Sequence, residues 1–350
     1  MRQITFAQAI HEGLETALRI DEKVLCYGLG VTDPLGVFGT TKGLHETFGT
    51  SRVFDMPTAE NGMTGVAIGA ALGGLKPVMT HQRVDFFLLA MDQLVNNAAK
   101  WHYMFGGEMS IPLTIRLIIG RGWGQGPTHS QNLHSWFTHI PGLKVVMPTT
   151  PADAKGLLLE SIFDPNPVIF LEHRWLHNMV GEVSEREDFR VPLGKAHTLV
   201  EGNDLTIVSM SYMTVEALHA HKELVKMGLS VEIIDLKTLS PLDWGTLFAS
   251  IQKTKRLLVL DTAHEFGSIA SDIVAKVSCE LFTVLKSAPQ IVALENISSP
   301  TSYYLTKEYY QGAKEIVRTV LSMLEVEPQS PIQQRSGHHD VPGEWFKGPF

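Results

Sequence analysis

Two cysteines in 350 residues, Cys26 and Cys279, stand far apart, each in an apolar-flanked stretch. That scarcity excludes a disulfide-stapled scaffold, and both read as reduced core thiols. There is no run of lysine and arginine and the formal charge is -8, so the concentrated basic surface that nucleic acid demands is missing. No uninterrupted stretch of about 18 apolar residues occurs, and no membrane span is expected. The opening MRQITFAQAIHEGLETAL spaces its apolar residues for a helix and lacks the apolar core and cleavage site of a secretory signal. A cytoplasmic protein with a small-molecule or protein partner is the expectation.

Several catalytic signatures are missing too. HExxH and CxxC are absent, so the histidines at 129, 134, 139, 173 and 177 do not read as a zinc site, although His173 and His177 have helical i,i+4 spacing. Without a G-x-S-x-G elbow a serine hydrolase is excluded at the motif level. The glycine spacing fits neither a phosphate-binding P-loop nor a dinucleotide fingerprint.

What is present is ordinary globular material, 44% hydrophobic and 19% charged, enough for two cores. A helix is predicted over Ile4 to Ile20, then a buried strand over Val24 to Gly28. The alternation continues with helices at Asn61 to Gly74 and Met91 to Phe105, and strands at Lys76 to Thr80 and Pro112 to Ile119. Strands at Leu205 to Ser209, Val231 to Leu236 and Arg256 to Leu260, with a helix over Val215 to Met227, open a second series. Strands apolar on both faces and separated by helices predict an α/β protein of two domains, each a mostly parallel sheet flanked by helices. The expected division is 1–187, a polar linker 188–204 with Pro192 and Gly194, a second domain 205–325, and an extended or disordered tail 326–350.

Two places could carry chemistry. Glu60, in Pro57-Thr58-Ala59-Glu60-Asn61-Gly62, sits between a strand end and a Gly/Ala-rich helix, where open α/β sheets place ligands. The competing reading is a carboxylate that stabilises the helix start. Gly120-Arg121-Gly122-Trp123-Gly124-Gln125-Gly126-Pro127-Thr128-His129-Ser130-Gln131 is a glycine-dense loop after a buried strand. His129 suits general acid/base work near neutrality, and a structural histidine is the alternative.

Read together, P-T-A-E-N-G at 57 to 62, A-M-D-Q-L-V-N-N-A-A-K at 90 to 100, G-G at 106 to 107, T-H-S-Q at 128 to 131, P-G-L-K-V-V-M-P at 141 to 148, D-P-N-P-V at 164 to 168 and I-I-D-L-K-T-L-S-P-L-D at 233 to 243 fix a resemblance. Over roughly residues 2 to 325 the chain resembles the beta subunit of the thiamine-diphosphate-dependent first component of 2-oxo acid dehydrogenase complexes, of pyruvate, branched-chain or acetoin type. That resemblance implies a transketolase-like pyrimidine-binding domain followed by a transketolase C-terminal-like domain. It implies that Glu60 hydrogen-bonds the N1' nitrogen of the cofactor's aminopyrimidine, that Gln82 and Phe86 pack on that ring, and that His129 faces the reacting acyl group. A potassium site of backbone carbonyls is implied as well, by alignment those of Leu113, Ser161, Asp164 and Asn166.

The G-D-G motif that holds the cofactor's diphosphate through Mg²⁺ is absent from this chain. The resemblance therefore implies an alpha subunit carrying it, an alpha2-beta2 assembly, and a lipoyl-bearing acyltransferase as recipient of the acyl group. The stretch His81 to Asp85 is more polar than in the pyruvate enzymes, and Arg121 with Trp123 enlarges the loop before His129. Arg83 and Arg121 are candidates to pair with an anionic group on the substrate, with a subunit-interface salt bridge as the alternative. Two further readings stand beside oxidative decarboxylation: the small subunit of a split transketolase, acyloin-forming or decarboxylating thiamine enzyme, and a non-catalytic α/β partner.

Overall fold

In a computed structural model the structure describes residues 1–120 and 124–327. Arg121, Trp123 and all but the first two residues of the expected tail lie outside the described residues. The elements are β1 (Arg2–Thr5), α1 (Phe6–Ile20), β2 (Val24–Gly28), α2 (Leu44–Phe48), β3 (Val53–Asp55), α3 (Glu60–Leu72), β4 (Lys76–His81), α4 (Val84–Phe87), α5 (Ala99–Met104), β5 (Thr114–Ile119), α6 (His134–Thr138), β6 (Lys144–Val146), α7 (Pro151–Ile162), β7 (Val168–His173) and β8 (Val180–Val183). They continue with β9 (His197–Val200), β10 (Leu205–Ser209), α8 (Tyr212–Lys226), β11 (Val231–Asp235), β12 (Thr238–Ser240), α9 (Trp244–Thr254), β13 (Leu257–His264), α10 (Ile269–Glu280), β14 (Gln290–Leu294), α11 (Tyr303–Tyr309) and α12 (Ala313–Leu324). The chain folds as two compact units, whose described residues are 1–120 with 128–193, and 124–127 with 194–327.

In the first unit the strands run β6-β7-β5-β4-β2-β3, every neighbouring pair parallel. β5 and β7 are buried at every position, as a parallel sheet covered on both faces requires. The helix predicted from Ile4 begins at Phe6. Thr5 Oγ1 accepts the Gln8 amide while Gln8 Oε1 accepts the Thr5 amide, a reciprocal cap that frees residues 2 to 5 to pair antiparallel with β8. α1 packs on α7 at Gly13, where a Cβ would come within 3.2 Å of Leu158 Cδ2. The helix predicted over Met91 to Phe105 contains a π-helical turn over Gln93–Ala98 before α5.

The second unit orders its strands β14-β13-β10-β11-β9, parallel except for β9, which lies within the segment 188–204 and runs antiparallel to β11. Its core joins Leu205, Ile207, Val231, Ile233, Leu258 and Leu260 of the sheet to α8 and α12. One expectation fails here. Cys26 is buried in β2, but Cys279 is exposed, because α10 turns Ile269, Ala270, Ile273 and Val277 inward and leaves position 279 on the outer face.

Across the centre of the first sheet runs a fully buried ion pair. Arg116 Nε and Nη2 bond the two carboxylate oxygens of Glu172 at 2.7 and 3.0 Å, and Nη2 also reaches Thr40 Oγ1 at 3.1 Å. Burial alone would raise the Glu172 pKa, but the Arg116 charge and the hydrogen bonds of Arg116 and His177 outweigh it, so the carboxyl sits below its ordinary value. Removing one partner strands the other charge in the core. Glu172→Gln is expected to lower the urea-unfolding free energy of the full chain at pH 7 by about 3–5 kcal/mol, and the double change Arg116→Leu with Glu172→Leu to recover most of it. A loss under about 1 kcal/mol, as for an exposed pair, would show that the pair is not structural.

Candidate active site

Because the strands of the first sheet are parallel, the C-terminal ends of β2, β3, β4, β5 and β7 meet along one edge, the place where open α/β sheets take ligands. Five of the expected residues come to this edge. Glu60 opens α3 just after β3, Gln82 and Arg83 follow β4, Phe86 lies in α4, and His129 lies on the segment after β5.

Glu60 is 5% exposed, and among the described residues no hydrogen bond or ion pair reaches its carboxylate. The preceding Ala59 offers no side chain to cap the helix. A largely buried carboxyl group with no hydrogen-bond partner among the described residues is open to a partner from outside the chain. A purely structural helix-start carboxylate gains by bonding its own helix N–H groups, and among the described residues Glu60 does not.

Phe86 is 41% exposed and meets the His129 ring edge-on, centroids 5.3 Å apart at 81°. Thr128 Oγ1 lies 3.0 Å from His129 Nδ1, which leaves Nε2 as the nitrogen for a reacting group. The loop is tied to α4 twice more. Gln131 Nε2 donates to Asp85 Oδ1 at 2.6 Å, and buried Arg83 donates to the Gly120 carbonyl at 3.1 Å. Burial raises the Asp85 carboxyl, against the pull of Gln131 and Arg83. Gln82 Nε2 donates to the Leu29 carbonyl at 3.1 Å, and a Cβ on Gly30, whose φ is +73°, would stand 2.6 Å from that nitrogen. Only glycine suits both demands at position 30.

Three residues at this edge receive no functional role from the sequence, where His177 is set aside as a metal ligand and His81 counts only toward the polar stretch to Asp85. His81 ends β4, buried against Phe87 with ring centroids 4.9 Å apart and no hydrogen bond on Nε2. Arg174 and His177 follow β7, so His173 and His177 do not share a helix: the first ends the strand, a 3-10 turn over Arg174–Leu176 intervenes, and His177 Nε2 lies 3.3 Å from Glu172 Oε2. Placement after a strand of a parallel sheet was the available signal.

Leu113, Ser161, Asp164 and Asn166 lie at the opposite edge, just before β5 and β7 begin. The Leu113 carbonyl accepts the Val168 amide at 2.9 Å, and the Ser161 carbonyl accepts the Asp164 amide at 3.2 Å and the Phe163 amide at the end of α7. Lys144 and the Asn166 amide bond the Asp164 carboxylate, and Asn166 Oδ1 is buried without a hydrogen bond. The orphaned oxygen of Asn166 is a ligand atom that a hard cation would take, although the Lys144 ammonium already satisfies the Asp164 carboxylate beside it.

Residues 2–179 match the transketolase pyrimidine-binding domain and residues 194–316 the transketolase C-terminal domain. The chain is 40% identical over 335 residues, 92% of its length and 98% of the relative's, to the acetoin:2,6-dichlorophenolindophenol oxidoreductase subunit beta of Bacillus subtilis (strain 168). It is 39% identical over 325 residues to the pyruvate dehydrogenase E1 component subunit beta of the same organism, covering 93% of this chain and 100% of that one. A solved structure titled split gene transketolase, inactive beta4 tetramer, is similar with a TM-score of 0.75 at 21% identity, over 93% of this chain and 100% of that chain. That last likeness concerns the fold alone.

His81 gives the edge a pH signature. Desolvation lowers its pKa from 6.5 to about 4, so it stays neutral when folded while the unfolded chain takes up a proton. The stabilisation is complete above the unfolded value and is withdrawn as pH falls from about 6.5 to about 4, amounting to roughly 3 kcal/mol. His81→Leu is therefore expected to lose markedly less unfolding free energy than the wild type between pH 7 and pH 4.5 in urea titrations. Parallel pH profiles would mean that His81 is hydrated or partnered in solution.

Proposed function

This chain belongs to the family of beta subunits of pyruvate- and acetoin-type dehydrogenases, built from transketolase pyrimidine-binding and C-terminal domains, and on that premise we propose that it supplies the pyrimidine half of a thiamine-diphosphate site completed by an alpha subunit. The buried, partnerless carboxylate of Glu60 carries this reading, because it is the group that a protonated ring nitrogen would satisfy. When bound, thiamine diphosphate supplies the carbon nucleophile and the electron sink for decarboxylation of a 2-oxo acid. Glu60 holds and returns a proton at its carboxylate, and Gln82 and Phe86 flank the aminopyrimidine. His129, fixed at Nδ1 by Thr128, presents Nε2 to the acyl group and helps a lipoyl arm accept it. Arg83 serves the substrate pocket.

The Mg²⁺ that binds the diphosphate belongs, in this reading, to the alpha subunit of an alpha2-beta2 enzyme, and the carbonyls of Leu113, Ser161, Asp164 and Asn166 hold a potassium ion. Acetoin as the substrate is a second reading, favoured by the two relatives at 40% and 39% identity whose names specify acetoin and a dye acceptor.

An artificial acceptor dye bypasses the lipoyl arm, so it separates these roles. In the assembled enzyme with its alpha partner, His129→Ala is expected to lose about a hundredfold or more in the lipoyl-coupled assay and distinctly less in the dye assay. Equal losses in both assays would remove His129 from acyl transfer. A wild-type assembly that ignores lipoyl domains while cleaving or forming acyloins would replace the dehydrogenase reading with the second one.

A further inference from the structure

His129 lies between β5 and α6, where the described residues 124–133 form neither helix nor strand. No regular backbone pairing fixes this stretch, so side-chain contacts set where the imidazole stands. Thr128 meets the ring at Nδ1 but belongs to the same stretch and moves with it. The anchors to the sheet come from α4 and the residue that precedes it. Arg83 Nη1 donates to the carbonyl of Gly120, which follows β5, at 3.1 Å. Phe86 meets the His129 ring itself, centroids 5.3 Å apart. Asp85 Oδ1 accepts Gln131 Nε2, two residues beyond His129, at 2.6 Å. The chain is thus held before His129, at it and after it.

The contact at Asp85 is the shortest of the three and the only one whose acceptor is charged. A carboxylate accepts and never donates, so it fixes which end of the Gln131 amide faces α4. The charge stands there at a cost. Burial pushes the Asp85 carboxyl up, against the pull of Gln131 and Arg83, and its Oδ2 is buried with no hydrogen bond among the described residues. An asparagine would accept from Gln131 without a buried charge, so the carboxylate calls for a function.

We propose that Asp85 is a positioning residue for His129, which through Gln131 fixes the stretch that carries the imidazole and so sets how that ring meets the acyl group. The positioning stands on these contacts, whereas its consequence for acyl transfer rests on the thiamine reading. Asp85 acts through Gln131 and needs no contact with substrate or cofactor. A displacement of about 1 Å in such a group costs on the order of a hundredfold in rate, so loss of one anchor is measurable.

Proton–carbon NMR of the full chain, labelled at histidine, tests the positioning without cofactor or turnover. The His129 Cε1 signal, identified by its loss in His129→Gln, is displaced by the ring current of Phe86. In Asp85→Ala it is expected to move toward the position of an unstructured histidine, and in Asp85→Asn, which keeps an acceptor for Gln131, to stay near its wild-type place. Circular dichroism confirms that both variants fold. A His129 signal indifferent to Asp85→Ala overturns the proposal. In the enzyme assembled with its alpha partner, Asp85→Ala is expected to lose about tenfold or more in the lipoyl-coupled assay and distinctly less in the dye assay, with Asp85→Asn recovering most of the loss. On a His129→Ala background Asp85→Ala should cost nothing further, because residues that act as one unit are not additive. Full additivity overturns the action through His129. Equal losses of His129→Ala in both assays, with the NMR response as expected, remove the acyl-transfer reading and leave the positioning standing.

Discussion

Parallel strand pairing in the first unit is the constraint on which the site depends. Each strand must return to the same side before the next begins, so every strand delivers its following residue to one edge and takes its preceding residue from the other. Glu60, Gln82, Arg83, His129, Arg174 and His177 therefore converge although they span more than a hundred positions in sequence. The same rule sends Leu113, Asp164 and Asn166 to the far edge, which separates the proposed cation site from the candidate active site. The Arg116–Glu172 pair fastens the neighbouring strands β5 and β7, and through Glu172 it also contacts His177, so the scaffold and the candidate site edge share one buried charge network.

Desolvation divides the labour within that edge. Glu60, His81, Arg83 and Arg174 are all buried, yet each is placed differently. Arg83 bonds a backbone carbonyl, Arg174 stacks on Phe38, and His81 sits neutral against Phe87. Glu60 has no partner at all among the described residues. A fold tolerates such a group when something else completes it, and a site built from two chains provides that completion only on assembly.

Much of this was legible in the sequence, for reasons that differ by element. β2 and β10 fall where continuous apolar runs place them, since a strand covered on both faces leaves that mark directly. Glu60 and His129 were legible as candidates because they sit in short motifs, P-T-A-E-N-G and T-H-S-Q, that the sequence carries to the ends of β3 and β5. Arg174 and His177 were not, because nothing local distinguishes a buried guanidinium from a surface one until β7 carries it to the edge. The π-helical turn at Gln93–Ala98 and the exposure of Cys279 were hidden for a related reason: apolar spacing names a helix but neither its winding nor which of its faces is covered. The reciprocal cap of Thr5 and Gln8 was readable as a capping box, and it would have moved the first helix start from Ile4 to Phe6.

The central claim is that Glu60 activates a cofactor it does not retain. The most direct measurement is the exchange rate of the thiazolium C2 proton for deuterium in the enzyme assembled with its alpha partner, comparing wild type with Glu60→Gln. The account predicts intact assembly and cofactor binding, with exchange slowed by about a hundredfold or more, because an amide cannot take and return the proton. Near-normal exchange in an intact assembly would contradict it and return Glu60 to the helix start.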